Sequence, residues 1–240
     1  MEGKSDKAFA TYKKMETMYP NDPAVHLSLA SYYRDHNNDL ESFKELLLAF
    51  QQPSLEVATE MRILNSIGNA SNGHDTLQMQ AIQLCGAMVK AHPDDYRAHY
   101  MYGDFLYQEH SLGKARDEYT LALGQDSSKY SIWAQLMVVD YQMQDYDDVI
   151  KVSKGAMSLF PDEPAPYYFN GIAKQQKKQY ASAAASLNKG IEYVINNNDL
   201  LNQFYSALGD AYYYAGKYTA SDSAYEAALK INPNDDNVLN

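Results

Sequence analysis

The chain has 240 residues, of which 45% are hydrophobic and 21% charged, a balance typical of folded proteins rather than disordered ones. Lysine and arginine number 20 against 31 acidic residues, and the net charge of −11 argues against nonspecific binding to nucleic acid or to an anionic membrane. The one cysteine, Cys85, excludes an internal disulfide and a zinc site built on thiolates.

Glycines and prolines recur at a regular distance along the chain. Gly103 and Gly171 are 68 residues apart, as are Pro93 and Pro161, and 68 is two periods of 34. A fixed period of this length is typical of helical repeat arrays. The spacing predicts the repeat units 23–56, 57–95, 96–129, 130–163, 164–201 and 202–235.

The clearest unit, 202–235, carries an ordered set of aromatic, apolar and small residues. In chain order these are Tyr205, Leu208, Gly209, Tyr212, Ser221, Tyr225, Ala228 and Pro233. The pattern resembles the tetratricopeptide repeat, a helix–turn–helix unit of about 34 residues. This resemblance implies an all-α fold, a right-handed α-α superhelical solenoid of tetratricopeptide-like helix pairs.

Helix geometry supports this interpretation. In each first helix the motif positions fall at i, i+3, i+4 and i+7, which form one apolar stripe. Gly103, Gly171 and Gly209 would let a neighbouring helix approach closely, where a larger side chain would hold it off. The unit at 57–95 is the weakest match, and the motif defines the register of its first helix only to within one residue.

The two ends of the chain resemble pieces of a repeat. Residues 3–22 align with 216–235, so 1–22 are predicted to form the second helix of a truncated repeat. Residues 236–240 resemble the start of a further repeat. We therefore expect the chain to be part of a longer array, because neither end has the polar outer face of a terminal cap.

The resemblance also indicates which side chains could touch a partner. In tetratricopeptide proteins, the flank of each first helix beside the apolar stripe lines a concave peptide groove. In the first full unit this flank carries Ala24, Leu27, Ser31 and Arg34. The groove candidates in the later units are Arg97, Tyr100, Asp104, Tyr107, Tyr141, Tyr168, Gln175, Asp210 and Tyr213.

Tyrosines and carboxylates on this flank favour an extended protein segment or peptide that is basic or proline-rich. Some family members instead hold the C-terminal carboxylate of a peptide with lysines, an arginine and asparagines. That set is missing here, since the flank has no lysine and Arg97 stands almost alone. The alternative is that tyrosine is only the preferred filler of groove and core in this lineage.

The stretch GDAYYYAGKY, from Gly209 to Tyr218, concentrates four tyrosines. Tyr212 is expected in the buried stripe, and Tyr218 is expected to pack at the start of the second helix. Tyr213, turned by about 100°, falls on the groove flank, and Tyr214 falls toward the outer edge or the next unit.

No pattern in the sequence indicates catalysis, a cofactor or a metal site. His26 and His99 occupy the aromatic position of a first helix, where a packed histidine is the simpler interpretation. The acidic runs at 145–148 and 232–236 lack the spacing of a calcium loop and are interpreted as helix caps. We expect no enzyme activity within these residues.

The predicted function is a non-catalytic protein-interaction scaffold that binds a partner segment along the concave groove. Two alternatives remain: a structural or regulatory arm of a larger enzyme or of a cell-envelope or secretion assembly, and a self-association module that forms a homodimer through the repeat ends. No stretch predicts membrane insertion or nucleic-acid binding. The sequence leaves the compartment open between the cytoplasm and the bacterial periplasm or cell envelope.

Overall fold

The computed structural model describes residues 2–70 and 75–233, with side chains from residue 7 onward. All regular secondary structure in these residues is α-helical. The helices are α1 (Glu2–Met18), α2 (Pro23–Asp35), α3 (Asp39–Phe50), α4 (Val57–Ala70), α5 (Asp75–Ala91), α6 (Tyr96–Gln108), α7 (Leu112–Gln125), α8 (Tyr130–Gln142), α9 (Tyr146–Leu159), α10 (Pro164–Gln176), α11 (Tyr180–Ile191), α12 (Asn198–Tyr214) and α13 (Tyr218–Ile231). The expected start of a further repeat at 236–240, and the acidic run from residue 234 onward, lie outside the described residues.

The helices form two compact units, unit 1 (Met1–Gln125) and unit 2 (Asp126–Asn240). In unit 1, α2 packs on α3 and α6 on α7, and α3 also contacts α5. In unit 2, α10 packs on α11 and α12 on α13, and α10 also contacts α8 and α12. Contacts between successive pairs are needed because one helix pair cannot bury both of its faces. The predicted all-α repeat solenoid is confirmed.

Each unit has its own apolar core. In unit 1 the core is centred on Phe50, Leu64, Leu84 and Met88, none of which has exposed surface. Cys85 lies among them, and burial raises the pKa of its thiol, so it is a small core residue, as expected. The core of unit 2 includes Tyr167, Leu187, Phe204 and Leu208.

Gly103, Gly171 and Gly209 of the first helices meet side chains of the second helices, which are a tyrosine ring at Gly103 and Gly209 and Leu187 at Gly171. A Cβ atom on Gly103 would lie 2.6 Å from Cε1 of Tyr119, and a Cβ atom on Gly209 would overlap the ring of Tyr225. The predicted close helix approach at these positions is confirmed.

The turn between the two helices of a pair has one recurring conformation. The residue two positions before the second helix begins has a positive φ at Asn37, His110, Gln144, Lys178 and Gly216. The next residue donates its N–H back to the first helix, from Ser111 to the Leu106 carbonyl at 2.9 Å and from Lys217 to the Tyr212 carbonyl at 2.9 Å. These bonds satisfy carbonyls left free at the helix end.

The last first helix differs from the sequence expectation at its start. Helix α12 begins at Asn198, so the predicted boundary between residues 201 and 202 falls inside it. Asn197 caps this start, its side-chain oxygen accepting the Leu200 N–H at 3.0 Å. Phe204 is fully buried while Tyr205 is half-buried, so Phe204 rather than Tyr205 fills the core there.

Candidate functional site

The fourth residue of most first helices lies at the junction with the preceding connection. These residues are His26, Glu60, His99, Trp133 and Tyr167 in α2, α4, α6, α8 and α10, and we call this position the junction slot. Trp133 Nε1 donates to the Ser127 carbonyl at 2.9 Å, and the Tyr167 hydroxyl donates to the Pro161 carbonyl at 3.0 Å. The ring therefore fixes the connection as well as filling the core.

The two histidines of the junction slot each use both ring nitrogens. His26 Nε2 lies 2.8 Å from the Pro20 carbonyl oxygen, and Nδ1 lies 2.7 Å from Glu45 Oε2. His99 repeats this arrangement with Pro93 at 2.9 Å and Glu118 at 2.7 Å. Both carbonyls accept only, so each pair is an imidazolium beside a carboxylate, or a neutral ring that accepts from a carboxylic acid. The expected packed histidines are confirmed.

Glu60 occupies the junction slot of the weakest repeat, where sequence reasoning did not place a carboxyl group. Its side chain is fully buried, and its Oε2 lies 3.2 Å from His92 Nε2. Burial, together with the negative charge of Asp95, raises the pKa of Glu60 to about 8. The signal was present in the spacing, since Glu60 follows His26 by 34 residues.

A cavity of about 740 Å³ lies in unit 1 between the helix pairs α2–α3 and α4–α5. Its walls include Leu27, Ser31 and Arg34, three flank residues that the sequence indicated for the first full unit. The apolar part of the lining is formed by Leu27, Ala30, Phe43, Leu46, Ile63, Ile67, Ala70 and Leu77. The cavity can therefore accept apolar side chains of another molecule.

Two arginines give this cavity positive charge. Arg34 Nη2 lies 3.4 Å from Ser31 Oγ, and Arg62 Nη2 donates to Thr59 Oγ1 at 2.9 Å. Within the described part of the chain, neither guanidinium has a carboxylate oxygen within 4.0 Å. Asp39 is the acidic residue of the lining. Sequence reasoning missed Arg62 because the register of α4 was open.

The groove candidates on α6 are mostly engaged within the protein. Arg97 forms a bidentate pair with Asp95, with Nη2 2.6 Å and Nε 2.9 Å from the carboxylate oxygens, and the pair holds the pKa of Asp95 below its usual value. Asp104 accepts from the Tyr119 hydroxyl at 2.7 Å. Burial raises the pKa of Asp104 to about 6 despite this bond.

The two tyrosines of this set are half-buried. The ring of Tyr100 lies 5.7 Å from that of Tyr119, and Tyr107 follows one turn of helix after Asp104. The structure thus brings Tyr100 and Asp104 together around Tyr119.

In unit 2, Tyr141 and Tyr168 each contact the ring of Phe169, with centroids 6.0 and 6.1 Å apart. Burial raises the pKa of Tyr168, with smaller contributions from Tyr141 and Asp210, which places these three side chains in one neighbourhood. Asp210 accepts from the Tyr225 hydroxyl at 2.6 Å.

The remaining two candidates of unit 2 do not join this neighbourhood in the same way. Gln175 donates its side-chain N–H to the Ala207 carbonyl at 2.7 Å, so it links α10 to α12. Tyr213 is 54% exposed and lies near the turn between α12 and α13, where its ring contacts Tyr214 and Tyr218.

One expectation about the tyrosine stretch is wrong. Tyr218 is 62% exposed rather than packed, because it lies at the first residue of α13 beside the turn. Tyr214 is 63% exposed, as on the outer edge that the sequence indicated, and its ring stacks on Tyr180 of the preceding second helix with ring centroids 5.3 Å apart. Tyr212 is half-buried, and its hydroxyl accepts from Asn188 at 2.8 Å.

One group of side chains has the composition of a metal site. Glu16, His26 and Glu45 place ligand atoms within 4.8 Å of one another. Lys13 Nζ lies 2.9 Å from Glu16 Oε2 and 3.7 Å from Glu45 Oε1. The lysine ammonium already pairs with both carboxylates, and His26 is engaged at both nitrogens, so the residues fit a salt-bridge cluster better than a metal.

Comparison with known proteins agrees with this architecture. Tetratricopeptide repeat family models match residues 79–130 and 203–235. No curated protein matches the chain by sequence. None of the helices in the described ranges is both long and apolar enough to cross a membrane.

Several solved structures share the fold. A MamA protein superposes with a TM-score of 0.62 at 16% identity, covering 74% of this chain and 94% of MamA. MamA from Desulfovibrio magneticus RS-1 superposes with a TM-score of 0.61 at 12% identity, covering 74% of this chain and 97% of that MamA chain. YrrB, described as a TPR protein with an unusual peptide-binding site, gives 0.61 at 11% identity and covers 95% of each chain. At these identities the similarity concerns the fold alone.

Proposed function

We propose that this chain, which belongs to the tetratricopeptide repeat family, is a non-catalytic scaffold that binds a segment of a partner protein on the face formed by its first helices. The observation that carries the proposal is the cavity of about 740 Å³ in unit 1, which the first helices α2 and α4 line together with residues of α3 and α5. Clefts of this size with an apolar wall and a few polar groups are where proteins bind ligands.

The residues around the cavity support a binding role over a purely structural one. Phe43, Leu46 and Ile63 are only partly buried, so apolar surface remains available to a partner. Covering such surface with apolar side chains of a partner is favourable at about 25 cal/mol per Å². An extended or helical segment can reach this surface between the two helix pairs.

We propose that the tyrosine-bearing flank of unit 2 also binds a partner segment, through aromatic surface more than through the polar groups that the sequence indicated. Asp210 is held by Tyr225 and Gln175 by the backbone of α12, so fewer polar groups are available than the sequence indicated. Tyr141, Tyr168 and Tyr213 supply mainly aromatic surface. Tyrosine offers contact area at low entropic cost, which suits a proline-rich or extended segment there.

A photo-crosslinking experiment tests the proposal. A photoreactive amino acid at Ser31 or Ser66, both in the cavity wall, should give adducts with a defined partner in source cells. The matched control positions are Thr120 and Ser223, which are exposed on second helices. Adducts of equal yield at the control positions, or none at the cavity, would contradict binding on the first-helix face.

A variant that fills the cavity gives an independent test. Ser31→Trp should block entry of a partner segment, whereas Ser223→Trp should leave the crosslinked partner bound. Retention of the partner by Ser31→Trp at the level of the unmodified protein would argue against the cavity as the binding site. Thermal unfolding of both variants shows whether the fold is retained.

A further inference from the structure

We infer that the cavity of unit 1 binds an acidic amphipathic segment, with carboxylates held by Arg34 and Arg62 and an apolar side chain placed among Phe43, Leu46 and Ile63. This inference rests on the proposed function and adds the chemistry of the partner. It reverses, for this unit, the basic or proline-rich partner that the sequence favoured.

The charge of the cavity differs in sign from the charge of the whole chain. The chain carries a net charge of −11, whereas the charged side chains lining the cavity are Arg34, Arg62 and Asp39. A positive lining within an acidic protein attracts carboxylates locally and repels lysine and arginine. A basic segment would therefore meet like charge in this cavity.

Both arginines retain bonding capacity. Each guanidinium has five N–H donors, and its side-chain partners here are a single serine or threonine hydroxyl. The planar guanidinium matches the two oxygens of a carboxylate, and such bidentate pairs are among the stronger hydrogen bonds in proteins. The serine and threonine hydroxyls leave the positive charge of both guanidiniums unneutralised, so both groups can bind an anion.

Arg97, in the same unit, is an arginine whose charge is already paired within the protein. It binds both oxygens of Asp95, two residues earlier in the chain. The contrast separates a structural arginine from the two cavity arginines, although all three lie on or beside first helices. Sequence spacing placed both Arg34 and Arg97 on the groove flank and did not distinguish the paired arginine from the unpaired one.

The apolar wall requires more than an anion. Leu27, Phe43, Leu46, Ile63, Ile67 and Leu77 are all partly exposed in the cavity. Inorganic phosphate or a free carboxylate would leave this surface in contact with water, whereas a leucine or phenylalanine next to an acidic residue would cover it. A segment that alternates Asp or Glu with Leu or Phe meets both requirements.

Fluorescence anisotropy of the full chain with three short labelled peptides tests this inference. One peptide is built from Asp, Glu, Leu and Phe; the second has Asn and Gln in place of the acids; the third has Lys in their place. The acidic peptide should bind, and the neutral and basic peptides should bind at least about tenfold more weakly, since each lacks the charge-assisted bonds.

Charge-removing variants connect the binding to the two arginines. Arg34→Gln and Arg62→Gln should each weaken binding of the acidic peptide about tenfold, and the double variant about 100-fold. The control is the double variant Lys14→Gln/Lys114→Gln. It changes the net charge as much as the double arginine variant does, but at exposed residues outside the cavity. Binding to the control should stay within about twofold, and salt should weaken binding to the unmodified chain.

The outcomes separate this inference from the proposed function. Equal binding of acidic and neutral peptides that is lost in Ser31→Trp would overturn the charge assignment and leave the binding face in place. Failure of all three peptides would overturn the inference, while the crosslinking result would still decide the proposed function. Equal loss in the Lys14→Gln/Lys114→Gln control would reduce the effect to overall charge and contradict the arginine site.

Discussion

Oε2 of Glu60 lies 3.2 Å from Nε2 of His92 at a position of α4 that has no exposed surface. Helices α2, α6, α8 and α10 place a histidine or aromatic ring at the equivalent position. A carboxyl group in this position must give up hydration, and ionisation is therefore disfavoured. The weakest repeat of the chain thus contains a titrating group in its core.

We expect unit 1 to become less stable as the pH rises through the pKa of Glu60. The pKa of Glu60 is about 8 in the folded protein against an ordinary value of 4.5, so the folded state keeps a proton that the unfolded chain has released. The stability that protonated Glu60 contributes is fully present below about pH 4.5 and is lost as the pH rises to about 8, a change of roughly 2–4 kcal/mol.

Glu60→Gln should remove this dependence, because glutamine stays neutral at all these pH values. Denaturant unfolding followed by circular dichroism at several pH values measures the effect. The matched control is Glu56→Gln, since Glu56 is exposed one turn earlier. Parallel stability curves for the unmodified protein and Glu60→Gln would contradict the assignment.

Breaking the His99–Glu118 pair should destabilise unit 1 substantially. Glu118→Leu leaves the buried Nδ1 of His99 without its partner, and we expect a loss of about 2–4 kcal/mol. Unit 2 suggests the compensating change, because Tyr167 fills the same slot with Ser186 at the position equivalent to Glu118. The double variant His99→Tyr/Glu118→Ser should recover a large part of the stability, and a double-mutant cycle with the single variants His99→Tyr and Glu118→Ser measures the coupling. Additive losses would show that the two positions are independent.

The turn conformation predicts opposite effects for two substitutions. Gly216 has φ of 74° with open space around the position of a Cβ atom, so Gly216→Ala should cost about 1 kcal/mol through backbone strain alone. Lys178 has φ of 58° at the equivalent turn position, and Lys178→Gly should stabilise by about 0.5–1 kcal/mol. Thermal unfolding midpoints provide the test, and shifts of the same sign in both variants would disagree with it.

The hydroxyl of Tyr119 should matter more than that of Tyr225, although both donate to an aspartate. Asp104 is half-buried and Asp210 is exposed, so solvent can replace the bond only at Asp210. We expect Tyr119→Phe to cost about 1–2 kcal/mol and Tyr225→Phe less than about 0.5 kcal/mol. NMR titration should also show a higher pKa for Asp104 in Tyr119→Phe, because the lost bond had favoured the carboxylate. Equal costs would mean that burial does not set the strength of these bonds.

The repeat fold could be predicted from the sequence because small residues and prolines recur with the period of a helix pair. Gly103 and Gly209 identify the close helix contacts without any structure. The partner-binding chemistry could not be predicted in the same way. Whether Arg97 or Arg62 is available depends on which neighbour holds it, and Asp104 and Asp210 are engaged by tyrosines from the other helix of their pair. Periodicity assigns residues to faces, and it does not indicate which of them are already paired.

The junction slot has a consequence for how such repeats are recognised and how they can change. Imidazole, indole and phenol all reach the carbonyl six residues earlier from this slot, in His26, His99, Trp133 and Tyr167. At these four junctions the hydrogen bond requires a ring-sized side chain with an N–H or O–H at one location. The amino-acid type at the junction slot can therefore change among histidine, tryptophan and tyrosine. A repeat can therefore lose the aromatic residue by which its motif is recognised and still keep the hydrogen bond between the junction slot and the preceding connection.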